Sequence, residues 1–256
     1  MPIPIPMDGF LLIMGRLSGL FLSAPIFSSR MIPGRVKVLV IILLAGIFSR
    51  FLPIGFAQNL ATPAQFIGAI VVEVLVGYTI GFVVYVAMAA IQLAGQLMDM
   101  QMGFAIVNVV DPQSGTQIPL MGNLTQTVAL LIYLAIDGHH YLLEALAESY
   151  RIIPVLGMNL NLHFLDLLTE ITVYMFVIAV KIAAPLVIAI MTADIAMGFI
   201  ARTVPQMNVF IVGLPLKILM GLAALLIMLP VYIWVFNILF ARFFTYLDQI
   251  LYTLGH

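Results

Sequence analysis

The sequence has no cysteine and few charged residues, and both absences restrict what the protein can be. Without cysteine the chain cannot form a disulfide, an iron–sulfur cluster or a thiolate metal site. Only 8% of the 256 residues are Asp, Glu, Lys or Arg, whereas a soluble domain carries about a quarter. So few charges cannot form a water-facing surface, and a formal net charge of −1 gives no electrostatic attraction for nucleic acid.

Long apolar segments are abundant, because 64% of the residues are hydrophobic. A helix of about 20 apolar residues spans the hydrocarbon core of a bilayer. We count six hydrophobic helical segments, at residues 10–29, 36–49, 65–98, 120–136, 171–192 and 209–241. Glycine and proline interrupt them repeatedly, which is tolerated only where protein or a water-filled cavity covers the freed backbone groups. We therefore predict an all-α membrane-complex protein of about six hydrophobic, glycine- and proline-broken helices.

Motifs of catalysis and cofactor binding are missing from the sequence. It contains no phosphate-binding glycine loop, no nucleophile–base arrangement and no H-E-x-x-H zinc motif. His140 and Glu144 share a helix face next to His139, but no third ligand has a suitable spacing for a metal. We therefore predict no enzyme and no cofactor.

The first residues, rich in proline and without a basic region, are not typical of a signal peptide.

Four glycines form two small-xxx-small pairs, Gly15 with Gly19 and Gly77 with Gly81. This spacing leaves bare backbone on one helix face and lets a neighbouring helix approach closely. We interpret them as close packing faces, although such pairs also arise by chance in a glycine-rich apolar chain.

Polar groups near the end of the third segment share one helix face. Gln92, Gln96, Asp99 and Gly103 follow one another at spacings of four, three and four. Lipid disfavours such a stripe, so it faces protein or water. A channel lumen and an interhelical hydrogen-bond seam explain it equally well.

Five charges lie within the apolar segments. Arg16 is the only charge in the first segment, and Lys37 lies at the edge of the second. The other three, Glu73, Lys181 and Lys217, are the candidate intramembrane charges. Ionisable residues inside a membrane are usually paired and mark functional sites or subunit contacts. Glu73 could pair with Lys181, or each could meet a charge on a partner chain. Alternatively, each lies at a helix end and reaches the interface with its charged head.

The segment from Met102 to Pro119 is predicted to be a loop between two apolar helices. Pro112 disfavours a helical conformation at Asp111, and further turn-forming residues follow. The segment is too polar for lipid and too apolar for an ordinary exposed loop. A loop buried in an assembly and closing a pore fits both properties, while a plain surface connection is the alternative. The candidate constriction residues are Met102, Gly103, Phe104, Asn108, Asp111, Pro112, Gln113 and Gly115. The neighbouring Met98 and Met100 could form a soft seal around a passing polypeptide.

Five blocks of sequence occur in a recognisable order along nearly the whole chain. They are residues 24–37, residues 73–82, residues 95–105 with Asp111-Pro112, Asp137-Gly-His-His140 with Ser149, Tyr150 and Pro154, and Pro205-Gln-Met-Asn208 with Gly213, Pro215 and Lys217. Together these blocks resemble the FliR family of flagellar type III export-gate proteins.

The resemblance implies a structural subunit of the flagellar export gate in the bacterial inner membrane and the flagellar basal body. Residues 1–256 would form a single domain of this kind, with helical hairpins packed into a hetero-oligomeric channel. The implied partners are FliP-like and FliQ-like subunits, FlhB and FlhA, membrane lipid and, transiently, unfolded flagellar export substrates. A homologous subunit of a virulence injectisome is the near alternative. An autonomous small-molecule or ion transporter is a more distant one.

Overall fold

The computed structural model describes residues 7–29, 31–51, 62–104, 119–159, 161–204, 206 and 208–255, with backbone alone at 51, 209 and 210. These residues form seven α-helices and no strand, which confirms the all-α prediction. The helices are α1 (Met7–Ser23), α2 (Gly34–Phe51), α3 (Pro63–Met102), α4 (Leu120–Ala135), α5 (Gly138–Ile152), α6 (Leu162–Thr203) and α7 (Val209–Gly255). The helix that apolar segments alone do not reveal is α5, because Glu144, Glu148 and Arg151 interrupt its hydrophobic residues.

Fewer of these helices can span a bilayer than there are apolar segments. Within the described residues, α3, α6 and α7 are long and apolar enough, and the bent pair α4–α5 adds a fourth candidate. Helices α1 and α2 have 17 and 18 residues, which is short for a span that needs about 20. The six apolar segments are therefore not six membrane spans.

A sharp bend of 63° separates α4 from α5. At the bend Asp137 has a φ of 56°, a left-handed conformation that aspartate tolerates better than most residues. The Tyr133 hydroxyl donates a 2.7 Å hydrogen bond to the Gly138 carbonyl oxygen. The Tyr133 ring lies so close to Gly138 that a side chain at this position would overlap it. The sequence Asp137-Gly138 thus provides both the turn and the space for the aromatic ring.

The chain divides into two compact units. The first comprises residues 1–87, 133–172 and 240–256. Buried leucines of α1 and aromatic residues of α7 contribute to its core, among them Leu17, Leu20, Phe240 and Phe243. Tyr133 packs against Phe240 with ring centroids 5.4 Å apart, and Tyr141 donates a hydrogen bond to the carboxylate of Asp248.

The second unit comprises residues 88–132 and 173–239. Its buried side chains include Ile91, Met98, Leu186, Ile190 and Phe236. Much of the apolar surface of α6 and α7 is nevertheless uncovered. In the most apolar 18-residue stretch of each helix, only 28% and 17%, respectively, is buried. In a water-soluble protein such faces would be covered, so these two helices need lipid or another protein around them.

Candidate functional site

A buried ion pair links α1 to α3 in the first unit. The Arg16 guanidinium donates from Nε to Glu73 Oε2 at 2.6 Å and from Nη2 to Glu73 Oε1 at 3.0 Å. Both residues are 0% exposed. Two parallel hydrogen bonds of this kind fix the orientation of both side chains, and the charges compensate each other away from water.

The remaining donors of Arg16 reach the end of α5. Nη1 donates to Ser149 Oγ at 2.8 Å, and Nη2 donates to the Ile153 carbonyl oxygen at 3.1 Å. The Tyr150 ring lies under the guanidinium, 4.0 Å from its carbon to the ring centroid. Arg16 therefore joins α1, α3 and α5. Its hydrogen bonds and the Tyr150 ring together compensate its buried positive charge.

The four predicted packing glycines all lie where α1 contacts α3. A methyl group built on Gly19 would overlap the Val74 carbonyl oxygen, and one on Gly77 would overlap the Arg16 carbonyl oxygen. At Gly81 it would overlap the Ser23 hydroxyl, which donates a 2.9 Å hydrogen bond to the Tyr78 carbonyl oxygen. Gly15 is less crowded, with the Glu73 Cβ 3.3 Å from the added atom. The close approach of the two backbones brings Arg16 within reach of Glu73.

The proposed pairing of Glu73 with Lys181 is wrong, because Arg16 holds the Glu73 carboxylate inside the first unit. Lys217 pairs with Asp194 at 2.6 Å, both half-buried. Lys181 is exposed and has no ion pair among the described residues. The sequence signal for the buried pair was Arg16, the single charge that interrupts the first apolar segment and therefore requires a partner.

The second unit contains a clamp at the base of the predicted loop. The Asp99 carboxylate accepts hydrogen bonds from the backbone N–H groups of Met121 at 2.9 Å and Gly122 at 3.1 Å. These are N–H groups of the first turn of α4, which have no partner inside their own helix. A carboxylate there also interacts favourably with the positive end of the helix dipole. Gly95 packs on Gly122 with no room for a side chain.

This geometry divides the predicted polar stripe. Asp99 is buried and points into the seam between α3 and α4, Gln92 is half-buried, and Gln96 is exposed. For Asp99 the interhelical seam is therefore the correct interpretation. It holds the beginning of α4 beside the last turn of α3.

The start of the predicted loop is described as far as Phe104. α3 ends at Met102, and Gly103 follows with a φ of 86°, which favours glycine. Met102 is 0% exposed and packs against Gly221 of α7, so its thioether lies in the core. Phe104 is half-buried. Met98 is buried while Met100 is 68% exposed. The predicted constriction residues Asn108, Asp111, Pro112, Gln113 and Gly115 lie outside the described residues.

A small polar cluster occupies the turn before α5. Asp137, His139 and His140 each bring one potential ligand atom within 4.8 Å of the others. The His140 Nδ1 atom is 3.3 Å from Asp137 Oδ1, and the centroids of the two imidazole rings are 4.1 Å apart with the ring planes tilted by 39°. Glu144, considered with these histidines from the sequence, is not part of the cluster. All three residues come from a single turn, and Asp137 and His140 are exposed.

The described residues define an all-helical membrane protein in which a buried ion pair joins α1 to α3 and a buried carboxylate joins the end of α3 to the start of α4. A family model described as bacterial export proteins, family 1, matches residues 7–243. The flagellar biosynthetic protein FliR of Bacillus subtilis (strain 168) is 38% identical over 225 residues, which cover 87% of this chain and 86% of that protein. FliR of Escherichia coli (strain K12) is 28% identical over 236 residues, covering 92% and 90%. FliR of Aquifex aeolicus (strain VF5) is 27% identical over 215 residues, covering 84% and 83%.

The chain therefore belongs to the FliR family of bacterial export proteins. The extent of these matches confirms the resemblance that the sequence alone carries. Membership in a flagellar export family, together with the apolar helices, identifies the chain as a membrane component of an export apparatus rather than a known type of enzyme.

Proposed function

We propose that this chain is a structural subunit of the flagellar type III protein export gate in the bacterial inner membrane, within the flagellar basal body. In this proposal it assembles with FliP-like and FliQ-like subunits into a channel, next to FlhB and FlhA. Unfolded flagellar subunits cross the membrane through the channel, and residues 1–256 act as one export-gate domain. No catalytic step is assigned to the chain.

The observation that carries the proposal is the amount of uncovered apolar surface on α6 and α7. These helices have 42 and 47 residues, or roughly 60 to 70 Å at 1.5 Å per residue. The hydrocarbon core of a bilayer is about 30 Å thick. The exposed apolar side chains are concentrated from Val173 to Ile200 on α6 and from Ile211 to Ile238 on α7, or about 40 Å along each helix at 1.5 Å per residue. A bilayer covers about 30 Å of that length, and neighbouring protein subunits are the cover that fits the rest.

A flagellar role is favoured over the virulence injectisome because the relatives described above are flagellar biosynthetic proteins. An autonomous transporter is disfavoured by the uncovered helices, since a protein working alone would leave that surface in water. Two ion pairs among the described residues have buried or half-buried charges, Arg16 with Glu73 and Asp194 with Lys217. In each pair the two charges bind each other, so neither is left to bind a transported ion.

Pore closure is assigned in this proposal to the segment between Gly103 and Pro119. Its support is the clamp below it, since Asp99 holds the first turn of α4 beside the last turn of α3. In this proposal the segment between these two helix ends constricts the pore at rest and moves aside during export. Transport energy would come from the partner components and the proton motive force, because the sequence contains no nucleotide-binding motif.

Deletion of the gene in its flagellated host, with complementation from a plasmid, tests the proposed function. The secreted hook and filament proteins are measured in the culture medium, and their total cellular amounts serve as the control for expression. We expect the deletion to abolish their secretion and the wild-type gene to restore it. Unchanged secretion in the deletion strain would contradict the proposal.

A further inference from the structure

Lys181 lies in the middle of α6, 19 residues after Leu162 and 22 before Thr203. At 1.5 Å per residue these separations are about 29 Å and 33 Å. The side chain cannot bridge such distances, so the interpretation that Lys181 lies at a helix end is wrong. The ammonium is instead surrounded by apolar side chains of the same helix face.

That face is exposed and apolar on both sides of the charge. Val177, one turn before Lys181, is 43% exposed, and Ile188, two turns after it, is 60% exposed. The described carboxylates of the second unit are Asp99 and Asp194, and each is already engaged, Asp99 by the α4 backbone and Asp194 by Lys217. The Lys181 ammonium therefore lacks an anion within the described part of its unit.

The backbone carbonyl of Lys181 also lacks its helical partner, because a proline lies one turn further along α6. Pro185 is inside the helix and has no N–H group. In an α-helix the N–H of residue 185 would donate to the carbonyl oxygen of residue 181, and proline cannot do so. The same residue, Lys181, thus presents a positive side chain and a backbone carbonyl freed from its helical hydrogen bond. Away from water both groups require partners.

We propose that the exposed face around Lys181 and Pro185 is the contact site for a helix of another membrane subunit, and that this helix carries a carboxylate. The carboxylate accepts hydrogen bonds from the Lys181 ammonium, and an adjoining hydroxyl or amide N–H donates to the freed Lys181 carbonyl oxygen. This inference rests on the proposed function, because it names the chemistry by which a partner recognises this subunit. A helix with one acidic residue in an otherwise apolar face is complementary to the site in both charge and polarity.

A lipid phosphate is a poorer occupant than a protein carboxylate. The site presents two groups, the Lys181 ammonium and the freed Lys181 carbonyl oxygen, and the second needs a hydrogen-bond donor. A phosphate accepts hydrogen bonds from the ammonium but has no N–H or O–H group for the carbonyl oxygen. A protein helix can supply a carboxylate from one residue and a donor from its neighbour.

The test is site-specific photo-crosslinking in intact flagellated cells. A benzophenone amino acid is placed at position 188, two turns after Lys181 on the same helix face, where Ile188 is 60% exposed, and, as the matched control, at position 182, where Ile182 is only 3% exposed. Position 188 leaves Lys181 in place and is expected to give one defined adduct with another membrane protein, and position 182 none. The peptide that is crosslinked should contain an aspartate or glutamate within an apolar helix.

Charge variants then test the chemistry of the contact. Lys181→Glu should lower the recovery of the chain in the assembled complex at least tenfold, whereas Lys181→Arg, which keeps the charge, should stay within twofold of wild type. Replacement of the acidic residue in the crosslinked peptide by lysine should restore the recovery of Lys181→Glu. Membrane levels of each variant are measured alongside, so that loss of the contact is distinguished from loss of the protein.

Three outcomes would overturn the inference. The first two concern crosslinking: adducts with phospholipid alone, or an adduct within the chain itself, for example to the segment that contains Asp111. The third is equal recovery of Lys181→Glu and wild type in the assembled complex. The wild-type chain is followed in the same experiment. If wild type itself enters no complex, the proposed function fails, whereas normal wild-type assembly with unaffected Lys181→Glu removes only the contact described here.

Discussion

The Arg16 guanidinium and the Glu73 carboxylate form two hydrogen bonds across the α1–α3 contact, with both side chains removed from water. The glycines around them explain how the pair forms. Gly19 and Gly77 remove the side chains that would hold the two backbones apart, so that the ion pair and the close helix contact depend on each other.

Removing one charge of this pair should strongly destabilise the protein. Arg16→Met leaves the Glu73 carboxylate buried without its partner, and breaking a buried pair in this way costs about 3–5 kcal/mol. Thermal unfolding of the detergent-solubilised protein measures the loss. Arg151→Met is the matched control, because Arg151 forms only an exposed pair with Glu148 and surface pairs contribute about 0–1 kcal/mol.

The double variant Arg16→Met, Glu73→Met separates the pair from its surroundings. Because it leaves no unpaired carboxylate, it should be more stable than Arg16→Met alone. Equal unfolding temperatures for Arg16→Met and Arg151→Met would show that the buried pair does not hold α1 on α3.

The glycine contact makes a prediction of its own. Gly77→Ala places a methyl group against the Arg16 carbonyl oxygen, so the helices must separate, and we expect a loss of about 1–3 kcal/mol as in other overpacked sites. Gly68→Ala on the same helix meets no atom within 4 Å and should be neutral or stabilising by up to about 1 kcal/mol, because alanine favours helices. The melting temperatures of the two variants are compared. If the Gly77→Ala protein is as stable as the Gly68→Ala protein, the close packing of α1 against α3 is contradicted.

Asp99 should stabilise the first turn of α4. Asp99→Ala removes the acceptor for two N–H groups of α4, a loss of about 0.5–2 kcal/mol by analogy with helix caps. Hydrogen exchange of the Met121 and Gly122 amides should become faster, since their donors lose their partner. Gln96→Ala, one turn earlier and exposed, should leave both rates unchanged. If Asp99→Ala also leaves them unchanged, Asp99 does not clamp the loop.

Shortening the loop should open the channel without preventing assembly. Deletion of residues 108–117 removes most of the predicted constriction while keeping Asp99, Met102 and the α4 start in place. We expect a normal amount of assembled complex and a raised ion conductance across membranes that contain it. A glycine–serine segment of the same length is the control that separates the sequence of the loop from its length. Unchanged conductance in the deletion would remove the closure role.

The sequence predicts most of the fold, and the reason is physical. Scarce charge indicates a membrane protein, and apolar segments approaching 20 residues match the length of membrane helices, whose backbone groups are satisfied within each segment. The helix that apolar segments do not reveal is α5, where Glu144, Glu148 and Arg151 interrupt the hydrophobic pattern. Its position depends on the left-handed turn at Asp137, which apolar periodicity does not reveal.

The candidate site is predicted less completely, because its contacts join distant parts of the chain. The spacing of Gly15, Gly19, Gly77 and Gly81 identifies two packing faces, but it does not say that these faces meet. Arg16 is 57 residues from Glu73 and 133 from Ser149. Only the packing of α1 against α3 and α5 brings the three together, so the sequence could identify Arg16 as a charge needing a partner without naming that partner.

The central claim is that the chain works as one subunit of a hetero-oligomeric export gate. Its most direct test is native mass spectrometry of the gently extracted protein, co-expressed with its FliP-like and FliQ-like neighbours. The account predicts a discrete hetero-oligomer in which this chain is present together with both neighbours. A stable monomer or homodimer that binds neither neighbour would contradict it.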